Sequence, residues 1–418
     1  MTQQSAPATT SLLTPFGLCV IYGLSIFSMA FIGTLVPLAN QLANRLGVDS
    51  SMVGGAIALC SAPSALLSFF SGGMVEKIGT RNAVAAGGVL VLIGDAIGYL
   101  ARTILIFDGA CLVAGVGFMI IITAAPAFIV QTSLGSFRTR SLSIWSTYAP
   151  VGFSAGLLMA APFSSGADGS TVLIVHAVVM AILVLAAPLL PKDGEAPAPS
   201  EADRSSRPRL KAFFSVLFDL ELLRLGLAYS IICGVAYGTG LVATPYLANT
   251  YHISMGRSAT AVAAVKIISM LVAGFGAGEL LTHKNPRMLF VGAVLVGITA
   301  QFALFWPGSG FWMASAGLGA WLLSYGCLTS ISMALLPAFL RKSARPAMGS
   351  GLVSQLTSIA SFLGAQIYFS LQGWHNFVII MLVCLAAAAS LMPLWYSGYA
   401  RAQRSQPVGA SLPLEEVC

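Results

Sequence analysis

Twelve apolar runs, each about twenty residues or longer, succeed one another along the 418-residue chain with short polar breaks between them. A hydrocarbon core about 30 Å thick takes roughly 20 apolar residues per helix. A chain built from such runs therefore has lipid as its main solvent. The first six cover about 16–38, 52–71, 83–101, 106–130, 141–162 and 170–190, and the second six about 222–244, 258–280, 288–306, 311–338, 348–371 and 377–398. Only 8% of the residues are charged, against about 25% in an ordinary soluble domain, which excludes a soluble globule. A mean hydropathy of +0.87 excludes a disordered chain. Residues 172–190 are apolar on every face, so the alternation of a membrane β-barrel is missing. Many of the 43 glycines and 20 prolines fall inside the apolar runs, as membrane helices allow.

Residues 191–221 separate the two sets of six and begin with a stretch rich in Pro, Ala, Ser and charged side chains, the composition of a solvated linker. The expected organisation is a tail at 1–15, a six-helix unit at 16–190, the linker at 191–221, a second six-helix unit at 222–398 and a tail at 399–418. Of the 21 basic residues, seventeen fall on one side of this topology. Arg45, Arg102 and Arg257 fall on the other, and Lys266 lies within a span. By the positive-inside rule both termini and the linker are cytoplasmic. The basic residues mark helix ends and form no aromatic-interleaved patch, so the net charge of +7 does not point to nucleic acid. Six of the seven cysteines sit in apolar spans without C-x-x-C spacing, and Cys418 does not meet a prenylation pattern. The first apolar run is too long for a signal-peptide core, so no cleavage is expected.

The two halves repeat. The break between spans 2 and 3 runs from Gly72 to Arg81, and a slide of 206 residues lays it on the break between spans 8 and 9, matching Gly72 with Gly278, Arg81 with Arg287 and Asp95 with Gln301. Gly72, Glu76, Lys77, Gly79 and Arg81 spell G-x-x-x-[DE]-[RK]-x-G-x-[RK]. This resembles the loop signature of the major facilitator superfamily, in the loop where that family carries it, and the twelve spans, the six-plus-six split and the long linker extend the resemblance over nearly the whole chain. The implied fold is all-α, with twelve transmembrane helices as two pseudo-symmetric six-helix bundles. Gly72 would let helix ends approach closely and Gly79 would permit a positive φ. The resemblance implies that Glu76 caps a helix end and pairs with a basic residue across the halves in the outward-open state, with Lys77 and Arg81 holding a cytoplasmic gate. Two other signatures are missing: Cys111 stands where many proton-coupled members have an arginine, and span 5 offers Pro150, Gly152 and Gly156 in place of the antiporter G-P-x-x-G-G.

Two ionisable residues lie deep in apolar sequence, Asp95 in span 3 and Lys266 in span 8. Each costs about 2.5–3.5 kcal/mol at a helix centre. At 1.5 Å per residue Asp95 is roughly 18 Å from the cytoplasmic end of its span and Lys266 roughly 12 Å from the outer end of its own, similar depths in the membrane. The resemblance puts span 3 at the periphery of its half and span 8 beside the cavity, so separate roles are expected. Lys266 reads as a counter-charge for an anionic substrate, with a proton-linked or gating role and snorkelling as the competing readings. Asp95 is either a coupling carboxylate or a structural acid held within the first half.

Polar and aromatic residues recur at helical spacing, the pattern of a wet face: Ser61, Ser64 and Ser68 in span 2, Tyr229, Cys233 and Tyr237 in span 7, and Gln355, Ser358 and Gln366 in span 11. The resemblance places spans 1, 4, 7 and 10 around a central cavity, which makes Tyr22, Tyr237, Trp321 and Tyr325 candidate substrate contacts. His252, His283 and His375 lie in or beside loops, and His176 reads as a packing or interfacial residue, with a pH role as the lesser reading. No metal cluster, cofactor motif or nucleotide-binding P-loop is present, so neither an enzyme nor an ATP-driven pump is expected.

The expectation is a monomeric secondary transporter of the bacterial inner membrane. It would move one small organic solute, an organic anion or carboxylated metabolite first of all, by alternating access with protons as the coupling ion, and Asp95 is the buried acid available to carry them. A multidrug or siderophore-type porter of the same superfamily is the alternative, and a non-transporting receptor on the same scaffold a distant third.

Overall fold

The computed structural model describes residues 13–163, 169–192, 216–340, 346–371 and 373–395. Most of the expected linker, both tails and the basic residues at 341–345 lie outside the described residues, as does the side chain of Gln366. Within them the fold is all-α, with no strand. In lipid every backbone N–H and C=O needs an internal partner, and a helix supplies one for each. Ten helical stretches among the described residues are long and apolar enough to cross a membrane. The remaining two expected spans, 5 and 11, are occupied by the helices Gly135–Trp145 and Tyr148–Ala160 and by the helix Pro346–Ser370.

The first half comprises α1 (Pro15–Leu35), α2 (Ala39–Leu46), α3 (Ser50–Leu59), α4 (Ala62–Ile78), α5 (Thr80–Leu100), α6 (Ile104–Thr132), α7 (Gly135–Trp145), α8 (Tyr148–Ala160) and α9 (Thr171–Ala186). The second half comprises α10 (Leu220–Thr250), α11 (Met255–His283), α12 (Pro286–Phe305), α13 (Phe311–Leu340), α14 (Pro346–Ser370) and α15 (Trp374–Leu391). Starts carry ordinary caps. Thr14 accepts from Gly17 N at 3.1 Å ahead of Pro15, Asp219 accepts from Leu222 N at 3.1 Å, and Asn285 accepts from Arg287 N at 2.9 Å ahead of Pro286.

Three local features depart from the sequence reading. Span 1 does not stop near residue 38: after a 3₁₀ turn at Val36–Leu38 the chain continues as α2 and ends at Gly47, in the left-handed region at φ 68°. Span 2 is two helices, broken at Cys60 and Ser61 just before Pro63, whose ring leaves no N–H for a continuous ladder. Span 5 is likewise divided at Ser146 and Thr147, ahead of Pro150.

The repeat seen in the sequence recurs in the hydrogen bonding. Arg81 donates to Pro188 O, and Arg287 Nε donates to Leu394 O at 3.0 Å, so the same offset of 206 residues separates both donors and both acceptors. Equivalent helices also pair through small residues. A side chain added at Gly156 of α8 would strike Ala30 O and Gly33 of α1, and one added at Gly364 of α14 would strike Gly234 of α10. Backbones therefore touch at the α1–α8 and α10–α14 crossings, where dispersion between close-packed helices replaces the hydrophobic drive that lipid does not supply.

Contacts between the halves run through α4 against α14 and α7 against α11 and α13. The geometry predicts that Gly156→Leu lowers stability by about 1–3 kcal/mol through overpacking. Gly54→Ala, whose added carbon meets open space, should leave the unfolding temperature of the purified protein in detergent unchanged or slightly higher, and parallel thermal unfolding of the two variants checks this.

Candidate functional site

Two adjoining cavities lie between the halves, one of about 90 Å³ and one of about 310 Å³. They share Met29, Tyr148, Tyr229, Tyr237 and Thr357 in their walls and together form one chamber. Its size and mostly apolar lining with a few polar groups are those of a small-molecule site. Among the described residues, the smaller cavity has one charged residue in its wall, Lys266, and the larger has none.

Lys266 sits about 16 Å along α11 from the Met255 end. Its ammonium lies 5.4 Å from the centroid of the Phe153 ring, a cation–π distance. It also approaches Gly240 of α10, where an added carbon would stand 3.1 Å from Nζ. Gly240 thus leaves the ammonium its room. The ion pairs among the described residues include none with Lys266.

Tyr237 is 37% exposed and lines both cavities, while Tyr325 is nearly buried and points its hydroxyl at Cys233 Sγ, 3.8 Å away. Lys266, Tyr237 and Tyr325 are thus brought together. Tyr22 and Trp321 are not among the lining residues. The Thr147 hydroxyl donates to Ile144 O at 2.8 Å, so Tyr22 OH donates to Thr147 Oγ1 at 2.6 Å and ties α1 to the break between α7 and α8. Trp321 is fully buried, with its ring packed over Gly297 of α12. Sequence reasoning missed Phe153 and Tyr148. Tyr148 is stacked on Trp145 with centroids 4.8 Å apart, and both missed residues reach the chamber because the chain breaks at Ser146 and Thr147. The available signal was Pro150 three residues past Thr147.

Asp95 stands outside the chamber, fully buried in the first half. Its two oxygens lie 2.9 and 2.8 Å from His176 Nδ1, and His176 Nε2 donates to Phe27 O at 2.7 Å. Because Nε2 must carry a hydrogen to face a carbonyl oxygen, one proton is shared between Nδ1 and the carboxyl group and the pair is neutral overall. His176 is therefore no mere packing or interfacial residue: it bridges α5, α9 and α1. At the equivalent position in the second half, Gln301 Nε2 donates to Thr239 Oγ1 at 3.0 Å, joining α12 to α10 through neutral groups.

The signature loop sits where the halves meet. Gly72 lets α4 pass against Ala347 and Met348 at the start of α14, and Gly351 abuts Ser68 in return. Glu76 Oε1 accepts from Met348 N at 3.2 Å, capping the first turn of α14. Gly79 has φ 86°, a conformation that glycine takes without strain. Lys77 is exposed, and Arg81 bonds within its own half. The repeat makes the mirrored contact: Gly278 packs on Arg140 and Ser143 of α7, and Arg140 pairs with Glu279 at 2.7 Å. Farther toward mid-membrane, Ser143 donates to Gly274 O at 2.7 Å and Ser64 meets Ser358 at 2.6 Å.

The model of the Major Facilitator Superfamily matches residues 18–365. The inner membrane transport protein YajR of Escherichia coli K12 is 23% identical over 422 residues, covering 96% of this chain and 87% of its own. Among solved structures, the transporter FucP in its outward conformation aligns with a TM-score of 0.70 at 14% identity, covering 91% of this chain and 98% of FucP. The proton:xylose symporter XylE aligns with a TM-score of 0.72 at 12% identity, covering 90% and 94%. The human organic anion transporter MFSD10 aligns with a TM-score of 0.65 at 14% identity, covering 93% and 99%.

The buried pair yields its own prediction. Asp95→Ala and His176→Ala should each cost about 3–5 kcal/mol, the cost of stranding one partner of a buried pair. The double variant should cost clearly less than the two added together, because neither group is then left alone. Chemical unfolding of the four proteins in detergent measures the cycle.

Proposed function

The chain belongs to the major facilitator superfamily, and from that premise we propose that it moves a small organic anion, such as a carboxylated metabolite, across the bacterial inner membrane by alternating access, driven by protons. One observation carries the choice of substrate: among the described residues, the only charge in the wall of the central chamber is the Lys266 ammonium, and no carboxylate pairs with it. A cationic drug would meet a like charge there. A monoanion would meet an opposite charge in a desolvated wall, where an ion pair is far stronger than in water. Tyr237, Tyr148 and Phe153 offer ring faces to an apolar body attached to the anionic group.

In this reading residues 16–190 and 222–398 are the two rocking units, the linker at 191–221 joins them, and both termini are cytoplasmic. The Gly72 to Arg81 loop and its repeat form the cytoplasmic gate. The Glu76 cap on α14, the Gly72 crossing and the Arg140–Glu279 pair are made, which supports a gate closed on that side. Of the two readings of Asp95, the neutral bridge to His176 and the equivalent role of Gln301 favour the structural one.

Thermal unfolding of the purified protein with a panel of 4-hydroxybenzoate, benzenesulfonate, succinate, xylose and tetraphenylphosphonium tests the substrate class. The monoanions should raise the midpoint and the phosphonium should not; stabilisation by the cation alone would contradict the reading. Lys266→Gln should abolish the anion shift and weaken anion uptake by tenfold or more. At the gate, Gly72→Leu should force α4 off α14. Cysteine labelling of the gate face in membrane vesicles would then rise and transport would fall, whereas unchanged labelling would remove the loop from the gate.

A further inference from the structure

Resting on the anion reading above, we infer that Lys266 is also the proton-carrying group, so that one anion and one proton cross together through the same ammonium. The inference starts from what the chamber lacks. Among the described residues, the titratable groups that share the cavity wall with Lys266, from the elements packed on α11, are Tyr148 of α8, Tyr229, Cys233 and Tyr237 of α10, and Tyr325 of α13. From α7, Arg140 reaches α11 only at its far end, where it pairs with Glu279. Among the described residues, no carboxylate or imidazole lines either cavity. Phenols and a thiol are weak acids that stay protonated near neutral pH. Asp95, the acid that the sequence offers for coupling, is fully buried away from both cavities, with its partner His176 committed through both ring nitrogens.

Charge balance then decides which forms of the carrier move. An ammonium with no counter-ion in a closing, water-poor chamber is costly, and so is an organic anion with no cation. Two states avoid both costs: the empty carrier with Lys266 as a neutral amine, and the loaded carrier with Lys266 as an ammonium paired to the anion. From the first state, Nζ takes one proton from the solution and the anion pairs with it. After reorientation the anion leaves, Nζ releases the proton to the other side, and the neutral carrier returns. Each cycle moves one negative and one positive charge in the same direction. The Phe153 ring, 5.4 Å from Nζ, favours the ammonium during the interval before the anion arrives.

The test uses full-length protein in proteoliposomes with benzenesulfonate, an anion that takes up no proton at the pH of the experiment and so cannot carry one itself. For the wild type, an internal pH dye should record one proton entering per sulfonate. Net uptake should change less than twofold when a potassium-diffusion potential, inside negative, is imposed. In Lys266→Arg the group stays charged, so exchange of internal for external sulfonate remains possible while the empty return does not. The ratio of gradient-driven uptake to exchange should fall at least tenfold. Gradient-driven uptake in Lys266→Arg with the wild-type ratio, or wild-type uptake without proton entry, would overturn the inference and leave the anion reading standing. Absence of exchange with both benzenesulfonate and 4-hydroxybenzoate in the wild type would overturn both. Where Lys266→Arg does not fold, the proton count in the wild type decides alone.

Discussion

A single ammonium held part-way across a low-dielectric slab is the constraint to which the rest of the molecule answers. Lys266 lies near the Phe153 ring and the bare backbone of Gly240, in a chamber wall with no acid among the described residues. A lysine near a helix end escapes such a position by snorkelling. Lys266 instead remains half-buried, about 16 Å into α11, where its charge is expensive unless something negative comes to it. In the proposed reading the chamber is incomplete as built, and an anion would complete it.

Within each half, polar groups pair across helices: Asp95 with His176 and, through it, the carbonyl of Phe27 in the first, and the Gln301 amide nitrogen with Thr239 in the second. Glycine crossings at α1–α8 and α10–α14 weld each half internally. Between the halves the Gly72 and Gly351 crossing of α4 on α14 is joined by a helix cap from Glu76, an ion pair between Arg140 and Glu279 and single serine bonds, polar contacts that water can replace once the faces part. Rigid halves with a replaceable seam are what a rocking mechanism needs.

Much of this was legible in the sequence, because lipid imposes the same demand on every span. Apolar length gave the helices, and the 206-residue repeat seen in glycines and arginines returned as the paired bonds of Arg81 and Arg287. The loop glycines and Glu76 could be picked out because their spacing is local. The breaks at Cys60 and Ser146 were hidden, since a proline within an apolar run is tolerated in many membrane helices and only packing decides whether the chain divides there. Tyr148 and Phe153 were missed for that reason. His176 was missed because its partner lies 81 residues away on another helix, and no periodicity along one helix reveals a bond to another. Tyr22 and Trp321 carried the right spacing, but spacing alone does not distinguish a ring that lines a chamber from one that packs on Gly297.

A structure determined with benzenesulfonate bound tests the central claim most directly. The account predicts the sulfonate oxygens within hydrogen-bonding distance of Lys266 Nζ, with the ring among Tyr148, Phe153 and Tyr237. A sulfonate seated away from Lys266, or a chamber closed over a lysine turned out toward the membrane surface, would contradict it.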